Sequence, residues 1–437
     1  MIDRDLIKKY NKSGPRYTSY PPATFFHEQF TEKQYLELVE TSNEWLPNKI
    51  SIYVHIPFCP QICHYCGCNT SLYKSEREVE RYITALLSEI KIVADKINKD
   101  RIVTQIHWGG GTPNSISFKW INTVMSYFHK HFKIDPKAEI AMECNPAYME
   151  LTDLIELSKM GFNRLSIGIQ DFDNSLLKKM NRLPSRYPVK DLFRIARKSG
   201  FDSMNLDLMY GLPDQTLEQH LQSVQKAIDL NADRIITFSY AHVPWFKPNQ
   251  KNLEKYNLPD AEEKLTMLES SYNLLVDNGY VPIGMDHYVK PEDELHKALK
   301  NNKLHRNFQG YASREHTGQV YAFGTTAISQ LQKAYSQNVR SIKKYIKSLN
   351  DYHLPVLRGY KLEDNEVIIR KVINEIMCNH YINWKQISDE LNVTPQKIKE
   401  VVNYDPGKLK TFIDDEMLSL DENQIKVSPK GFFLIRN

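Results

Sequence analysis

Six short runs rich in β-branched residues recur at regular intervals, and the stretches between them carry the spacing of helices. The runs read ISIYVHIPF from Ile50, RIVTQIHW from Arg101, EIAMEC from Glu139, RLSIGIQ from Arg164, SMNLDLMYGL from Ser203 and RIITFSYAH from Arg234. Between the first two, Val79, Ile83, Leu86, Leu87, Ile90 and Val93 fall on one helical face. Strand and helix alternating in this way predict right-handed βαβ crossovers and a parallel sheet. Six units point to an α/β fold, a partial parallel (β/α)6 barrel, with a doubly wound sheet as the alternative. At 437 residues the chain exceeds the roughly 250–300 residues over which one core keeps growing, so a second, smaller unit is expected.

That unit is visible past about Pro355, where the strand rhythm stops. NEVIIRKVINEIMC is amphipathic, and NWKQISDELNVTPQKIKEVV reads helix, turn, helix, with Asn392 and Pro395 near the break. LSLDENQIKVSPKGFFLI reads as a small hairpin. The predicted organisation is therefore an N-terminal covering segment (1–45), a barrel domain (46–354) and a mostly helical, winged-helix-like C-terminal domain (355–437). A winged helix raises the question of nucleic acid. Its second helix, Gln396 to Val402, mixes Lys397 and Lys399 with Glu400, and the whole chain carries a formal charge of only +4. No basic stripe emerges, and the expectation is a packing domain that binds no nucleic acid. The N-terminus has no apolar signal region, and nowhere do about 18 apolar residues run together, so a cytoplasmic protein without membrane attachment is expected.

Function in parallel α/β folds sits in the loops after the C-terminal ends of strands. Here the first such loop is CPQICHYCGC, Cys59 to Cys68, which holds four of the six cysteines. In a reducing compartment such a cluster marks a metal or redox site rather than a disulfide framework. Cys59, Cys63 and Cys66 form C-x3-C-x2-C, and three thiolates on one short loop suit three irons of a cubane cluster while leaving the fourth iron open. A closed zinc site that adds Cys68 or His64 is the alternative. The isolated Cys144 and Cys378 read as small buried residues. The second loop is GGGTP, Gly109 to Pro113, and Glu143, Gln170 and Asp207 stand at or near the ends of the next three strands. Glycines after a strand let the backbone approach a ligand without Cβ contact.

These features resemble the radical S-adenosylmethionine (SAM) superfamily: C-x3-C-x2-C after the first strand, Tyr65 before the third cysteine, and GGGTP after the second strand. The extra Cys68, the segments GPRYTSYP (Gly14 to Pro21), YVHIPFC, HWGGGTP, GFNRLSIGIQDF, YGLP, GMDH and LHRNFQGY are similar to one family within it, the oxygen-independent coproporphyrinogen III oxidases. The resemblance covers nearly the whole chain. The stretch HTGQVYAFGTTAIS, His316 to Ser329, departs from the family pattern.

The resemblance implies a [4Fe-4S] cluster held by Cys59, Cys63 and Cys66, and two SAM molecules. Tyr53, Gly110, Glu143 and Ile328 match positions around the first SAM. Tyr65, Gly111, Thr112, Gln170, Arg182, Asp207 and Ala241 match positions around the second. Tyr53, His55, Cys68 and Gln309 are the candidate catalytic residues, Cys68 without ligating iron. The substrate would be a tetrapyrrole with propionate arms. Arg16, Tyr17 and Tyr20 are candidates to read and cover it, joined by Asp286, His287, His305 and Arg306. The implied chemistry is abstraction of a propionate β-hydrogen by a 5′-deoxyadenosyl radical, then loss of carbon dioxide and one electron, twice, to give two vinyl groups. It needs no Ser, His, Asp arrangement. It implies an electron donor such as a flavodoxin or ferredoxin, and a monomer is expected. The competing readings are a haem-binding chaperone and an anaerobic haem-degrading methyltransferase of the same superfamily.

Overall fold

A computed structural model describes residues 4–10, 19–314 and 318–435. The six runs form six strands: β1 (Lys49–Ile56), β2 (Ile102–Gly110), β3 (Lys133–Cys144), β4 (Arg164–Gln170), β5 (Ser203–Tyr210) and β6 (Arg234–Ser239). They pair in sequence order, every neighbour parallel. Helices Glu76–Ala94, Phe118–His131, Leu151–Lys159, Val189–Ser199 and Leu217–Asp229 make the crossovers. All but Val189–Ser199 start at a side-chain cap or capping box; Thr216, for example, accepts the N–H of Gln219 while the Gln219 side chain accepts that of Thr216. On Glu76–Ala94 the buried face holds Val79, Ile83, Leu86, Ile90 and Val93, while Leu87 is half-buried at its edge. Trp108, Phe128, Phe162 and Phe323 are each less than 2% exposed in the layer between sheet and helices. Burying each such side chain contributes about 1.5–3 kcal/mol.

The sheet extends beyond these six on both sides. After β6 come β7 (Val281–Ile283) and β8 (His287–Val289), antiparallel. A separate hairpin, β9 (Leu304–Asn307) with β10 (Gly310–Ser313), follows. Then β11 (Gln319–Phe323) returns to lie parallel against β1, and β12 (Ile328–Leu331), β13 (Ala334–Asn338) and β14 (Val356–Lys361) extend that edge antiparallel. The resulting 12-stranded order is β14-β13-β12-β11-β1-β2-β3-β4-β5-β6-β8-β7. The expected partial barrel is present at its centre.

Two features differ from the pattern read off the sequence. β14 lies past the expected boundary at 354/355 yet hydrogen-bonds to β13, because VLRGYK pairs with a distant strand that its own composition does not announce. Within the N-terminal segment, residues from 19 onward pack on the sheet: His27 bridges Gly359, and Tyr35 bonds Ser329 through its hydroxyl at 3.0 Å. Beyond β14, helices Asp364–Asn379, Trp384–Leu391 and Pro395–Val401 stand with β15 (Tyr381–Asn383), β16 (Leu418–Leu420) and β17 (Gln424–Val427) around Ile368, Trp384, Ile387, Ile398 and Ile425. Asn392 takes the left-handed turn at φ 53° between the two shorter helices, and Thr394 caps the second. This is the helix, turn, helix and hairpin of the winged-helix reading. No helix among the described residues is long and apolar enough to cross a membrane.

Candidate active site at the mouth of the barrel

The cysteine loop leaves the C-terminal end of β1 and is pinned at both ends. Phe58–Cys59 pairs with Ser71–Leu72, and the N–H of Tyr73 donates to the carbonyl of Cys59 at 2.8 Å. The turn after β2 folds back on the same place. Gly111 N–H donates to Ile56 O at 2.7 Å, Thr112 N–H to Phe58 O at 2.9 Å, and Thr112 Oγ1 stands 3.2 Å from Cys59 Sγ. A Cβ on Gly111 would lie 2.8 Å from the carbonyl of Phe58. That close approach is why the turn is built of glycines.

Arg182 reaches the loop from the segment after β4. Its Nη1 is 3.6 Å from Cys63 Sγ, and its Nη2 donates to the carbonyl of Gly168. Burial works against its charge, but Tyr65 and Cys63 hold the guanidinium above its usual pKa. Gly168 leaves room for this, since a Cβ there would meet the Gln170 amide at 2.8 Å. On the other side Gln250 Nε2 donates to the carbonyls of Tyr65 at 3.0 Å and Ala241 at 3.2 Å. The neighbouring Cys68 thiol lowers the pKa of Cys66, and Cys66 in turn pushes that of Cys68 up. Burial pushes Cys59 up to about 11.

Beside the loop opens a cavity of about 810 Å³ lined by Tyr53, His55, Cys68, Gly110, Glu143 and Ile328 among others. The first group of SAM positions therefore shares one cavity with Cys68. His55 Nε2 faces the carbonyl of Asn69 at 3.0 Å, so this nitrogen carries the proton. Its Nδ1, 3.2 Å from the Tyr53 hydroxyl, then accepts from it. Burial lowers His55 to about 4, so the imidazole is neutral. Glu143 accepts from His107 Nε2 at 2.9 Å and from Gly110 N–H at 3.4 Å, and the Tyr53 ring stacks on His107 with centroids 6.0 Å apart.

A second cavity, about 310 Å³, continues into the bore and shares Glu143, Phe308 and Gln309 with the first. Asp207 lies here, accepting from Ser166 Oγ at 3.2 Å, with its pKa raised to about 6 by burial and then by Glu143. His287, held by Asp286 at 2.7 Å, and Arg306, above the Tyr311 ring at 4.8 Å, line its wall. Gln309 Oε1 and Arg306 Nε are buried without a protein partner among the described residues, which marks this wall as one that a polar ligand would complete.

Some candidates lie elsewhere. His305 lines a different cavity with Arg314, Arg370 and Lys371, behind the hairpin. Side chains alternate across a strand, so His305 and Arg306, adjacent in β9, cannot both face the bore. Tyr20 is half-buried at the β13 edge, its carbonyl accepting from the Tyr335 hydroxyl at 3.2 Å, and it does not line either mouth cavity. Arg16, Tyr17 and His316 lie outside the described residues. The buried state of Cys144 and Cys378 agrees with expectation. Sequence reasoning missed His107 and Gln250. His107 was open to discovery, because it sits two residues after Gln105 and two before Gly109 on the inward face of β2. Gln250 carries no such signal; its role comes only from chain packing.

Residues 53–227 match the radical SAM superfamily. The oxygen-independent coproporphyrinogen III oxidase of Synechocystis sp. is 37% identical, over 99% of this chain and 93% of that protein. The Escherichia coli K12 protein of the same name is 37% identical over 100% and 93%. This chain belongs to the oxygen-independent coproporphyrinogen III oxidases. The solved structure of coproporphyrinogen III oxidase (HemN) from Escherichia coli, described as a radical SAM enzyme, superposes with a TM-score of 0.92 at 35% identity, covering 100% of this chain and 97% of that one.

Membership of this family implies a [4Fe-4S] cluster and SAM, and the residues present fit them. Among the described residues no three Cys, His, Asp or Glu side chains converge on a single point; ligands to three separate irons of one cluster do not converge either. The loop is short and pinned, its thiols lie beside Arg182 and Thr112, and the glycine turn leaves backbone uncovered next to them. These are the features a cluster with one open iron and a charged amino-acid ligand require.

Proposed function

We propose that this protein converts the propionate side chains of two pyrrole rings of coproporphyrinogen III to vinyl groups without oxygen, giving protoporphyrinogen IX in haem biosynthesis. The observation that carries the proposal is a family match over the whole chain, with the C-x3-C-x2-C loop opening on two joined cavities at the mouth of the barrel. When bound, the cluster and SAM supply a 5′-deoxyadenosyl radical that takes a hydrogen atom from the propionate β-carbon, after which the substrate loses carbon dioxide and gives one electron to an acceptor outside the chain.

The chain's own part is to hold and to exclude. In this reading Cys59, Cys63 and Cys66 ligate the cluster and Cys68 stays free beside the substrate. Tyr53, Gly110, Glu143 and Ile328 contact one SAM, a carboxylate suiting an ammonium or ribose hydroxyls. A second SAM contacts Tyr65, Gly111, Thr112, Gln170, Arg182, Asp207 and Ala241. The proximity of Tyr65 and Arg182 to Cys63 supports this, as does the continuity of the Asp207 chamber with the outer one. Neutral His55 fixes the direction of the Tyr53 O–H, which keeps that hydroxyl from presenting its proton to the reacting carbon. Gln309, at the junction of the cavities, offers an unpartnered carbonyl oxygen to substrate or cofactor. The protein acts as a monomer in the cytoplasm, takes its electron from a small donor such as a flavodoxin or ferredoxin, and divides into a covering segment, a barrel domain that includes β14 and a helical C-terminal domain after it.

An anaerobic assay with SAM, a reductant and either coproporphyrinogen III or haem, with products identified by mass, tests the proposal. Protoporphyrinogen formation with carbon dioxide release is the expected result. Haem binding without turnover, or a methylated ring-opened product, would replace it by the chaperone or the methyltransferase reading.

A further inference from the structure

The outer cavity carries more positive charge than the cluster and SAM require. Besides Tyr53, His55 and Glu143 it is lined by Arg340, Arg358 and Lys247. Lys247 is engaged, donating to the carbonyl of Cys68 at 2.8 Å. The two guanidiniums are held differently. Arg358 donates from Nε to Gln337 Oε1 at 2.7 Å and lies 5.9 Å from the Phe26 ring centroid, so it is braced through Nε with the Nη pair left for another acceptor. Arg340 rests against the Phe246 ring at 5.6 Å. Among the described residues no carboxylate pairs with either one.

Their place in the sheet matters as much as their charge. Arg358 lies in β14 and Arg340 just after β13, whereas Tyr53, Gly110 and Glu143 lie in β1, β2 and β3. In the sheet order β13 and β14 stand three and four strands from β1. At about 4.8 Å per strand Arg358 lies on the order of 19 Å along the sheet from β1, whereas Arg340 stands nearer the cysteine loop, its carbonyl accepting from the Asn69 amide at 3.2 Å. One cavity thus holds Tyr53, Gly110 and Glu143 on one wall and two guanidiniums without a carboxylate partner among the described residues on another, with Ile328 of β12 between them.

We propose that Arg340 and Arg358 clamp propionate carboxylates of the tetrapyrrole that are not reacting, and so place the reacting arm at the Tyr53 and Glu143 end. This rests on the proposed function, whose substrate bears four such arms. A guanidinium fork matches a carboxylate bidentately, and the exposed Arg340 and half-buried Arg358 become covered when the macrocycle fills the cavity. Glu28, on the same lining, repels an arm that strays from the clamp. The two arginines are positioning residues, and the carboxylates they hold keep the ring from rotating in a cavity whose other contacts are nondirectional.

The test is equilibrium dialysis of coproporphyrin III and of its tetramethyl ester against the full-length, cluster-loaded protein, anaerobically. The wild type should prefer the acid. Arg340→Gln and Arg358→Gln should each weaken acid binding by roughly tenfold, as for loss of one charged hydrogen-bonded contact, and the double variant should lose the preference over the ester. Arg340→Lys and Arg358→Lys should restore part of it, and they supply the same comparison if a Gln variant loses its iron–sulfur absorbance. A double variant that keeps the wild-type preference overturns the clamp and leaves the proposed function standing. A wild type that binds neither compound overturns both.

Discussion

Gly110 shows how much one residue constrains this site. It takes φ +119°, and a Cβ there would sit 2.8 Å from the His55 ring and from the carbonyl of Ile56. Gly110→Ala therefore costs about 1–3 kcal/mol in backbone strain and also displaces the imidazole that orients Tyr53. Lower thermal stability together with weaker SAM binding is the expected result, and unchanged SAM affinity by calorimetry would show that the ring does not move. The roles proposed for the cysteines are tested at the same scale. Cys59→Ala, Cys63→Ala or Cys66→Ala should each abolish the iron-based absorbance after anaerobic reconstitution. Cys68→Ser should retain it and lower product formation. Loss of all metal in the Cys68 variant, with zinc in place of iron in the wild type, would restore the four-thiolate reading. The part proposed for each cysteine comes from the family resemblance, whereas the thiol cluster and the glycine turn were legible in the sequence because cysteine and glycine have few uses in such spacing. His305 was not, because which face of β9 looks inward depends on a register that residue type does not reveal.

Among the elements, the helix Glu76–Ala94 does more than cover β1. Its Glu89, 3% exposed, accepts the N–H of Gly324 at 2.9 Å and the Asn338 amide and Tyr345 hydroxyl at 2.5 Å each. It thereby ties the crossover helix to the turn after β11 and to β13. Burial raises its pKa from 4.5 to about 7, with those hydrogen bonds acting in the opposite sense. A carboxyl raised on folding contributes stability that is complete below about pH 4.5 and is lost as pH rises through about 7, here about 3 kcal/mol. Urea unfolding at pH 5 and pH 8 should show this loss in the wild type and a flatter profile in Glu89→Gln. Equal pH dependence in the two proteins would remove Glu89 as its source. Such a contact was invisible in the sequence, where Glu89 looks like one more charge on an amphipathic helix.

For the whole molecule, the N-terminal helix Arg4–Tyr10 touches both main parts of the chain. Arg4 pairs with Glu262 at 2.5 Å and Glu269 at 3.0 Å on the helix Ala261–Asp277. Tyr10 packs with Met417 and Leu434 of the C-terminal unit, and Lys9 pairs with Asp415 at 2.6 Å. Exposed ion pairs contribute little, so the apolar contact of Tyr10 is the main tie. Deleting residues 1–10 should leave the iron–sulfur absorbance intact and speed hydrogen exchange in residues 410–434. Exchange unchanged there would mean that the C-terminal unit holds itself in place.

By itself the sequence determined the six parallel strands, the crossover helices, the cysteine loop, the glycine turn and the helix, turn, helix at the end. Each of these is set by contacts or periodicities within a few residues, where side-chain alternation, helical spacing and thiol spacing act directly. The strands from β7 to β14 were decided only by tertiary structure. They are short, three to six residues each; β7, β8 and β11 to β14 form because the open edges of the central sheet offer unpaired backbone groups, while β9 and β10 pair only with each other. The same holds for the two arginines in the outer cavity and for the joining of two chambers at Gln309. These juxtapositions bring together segments hundreds of residues apart, and no local preference encodes which of many cations will face a given space.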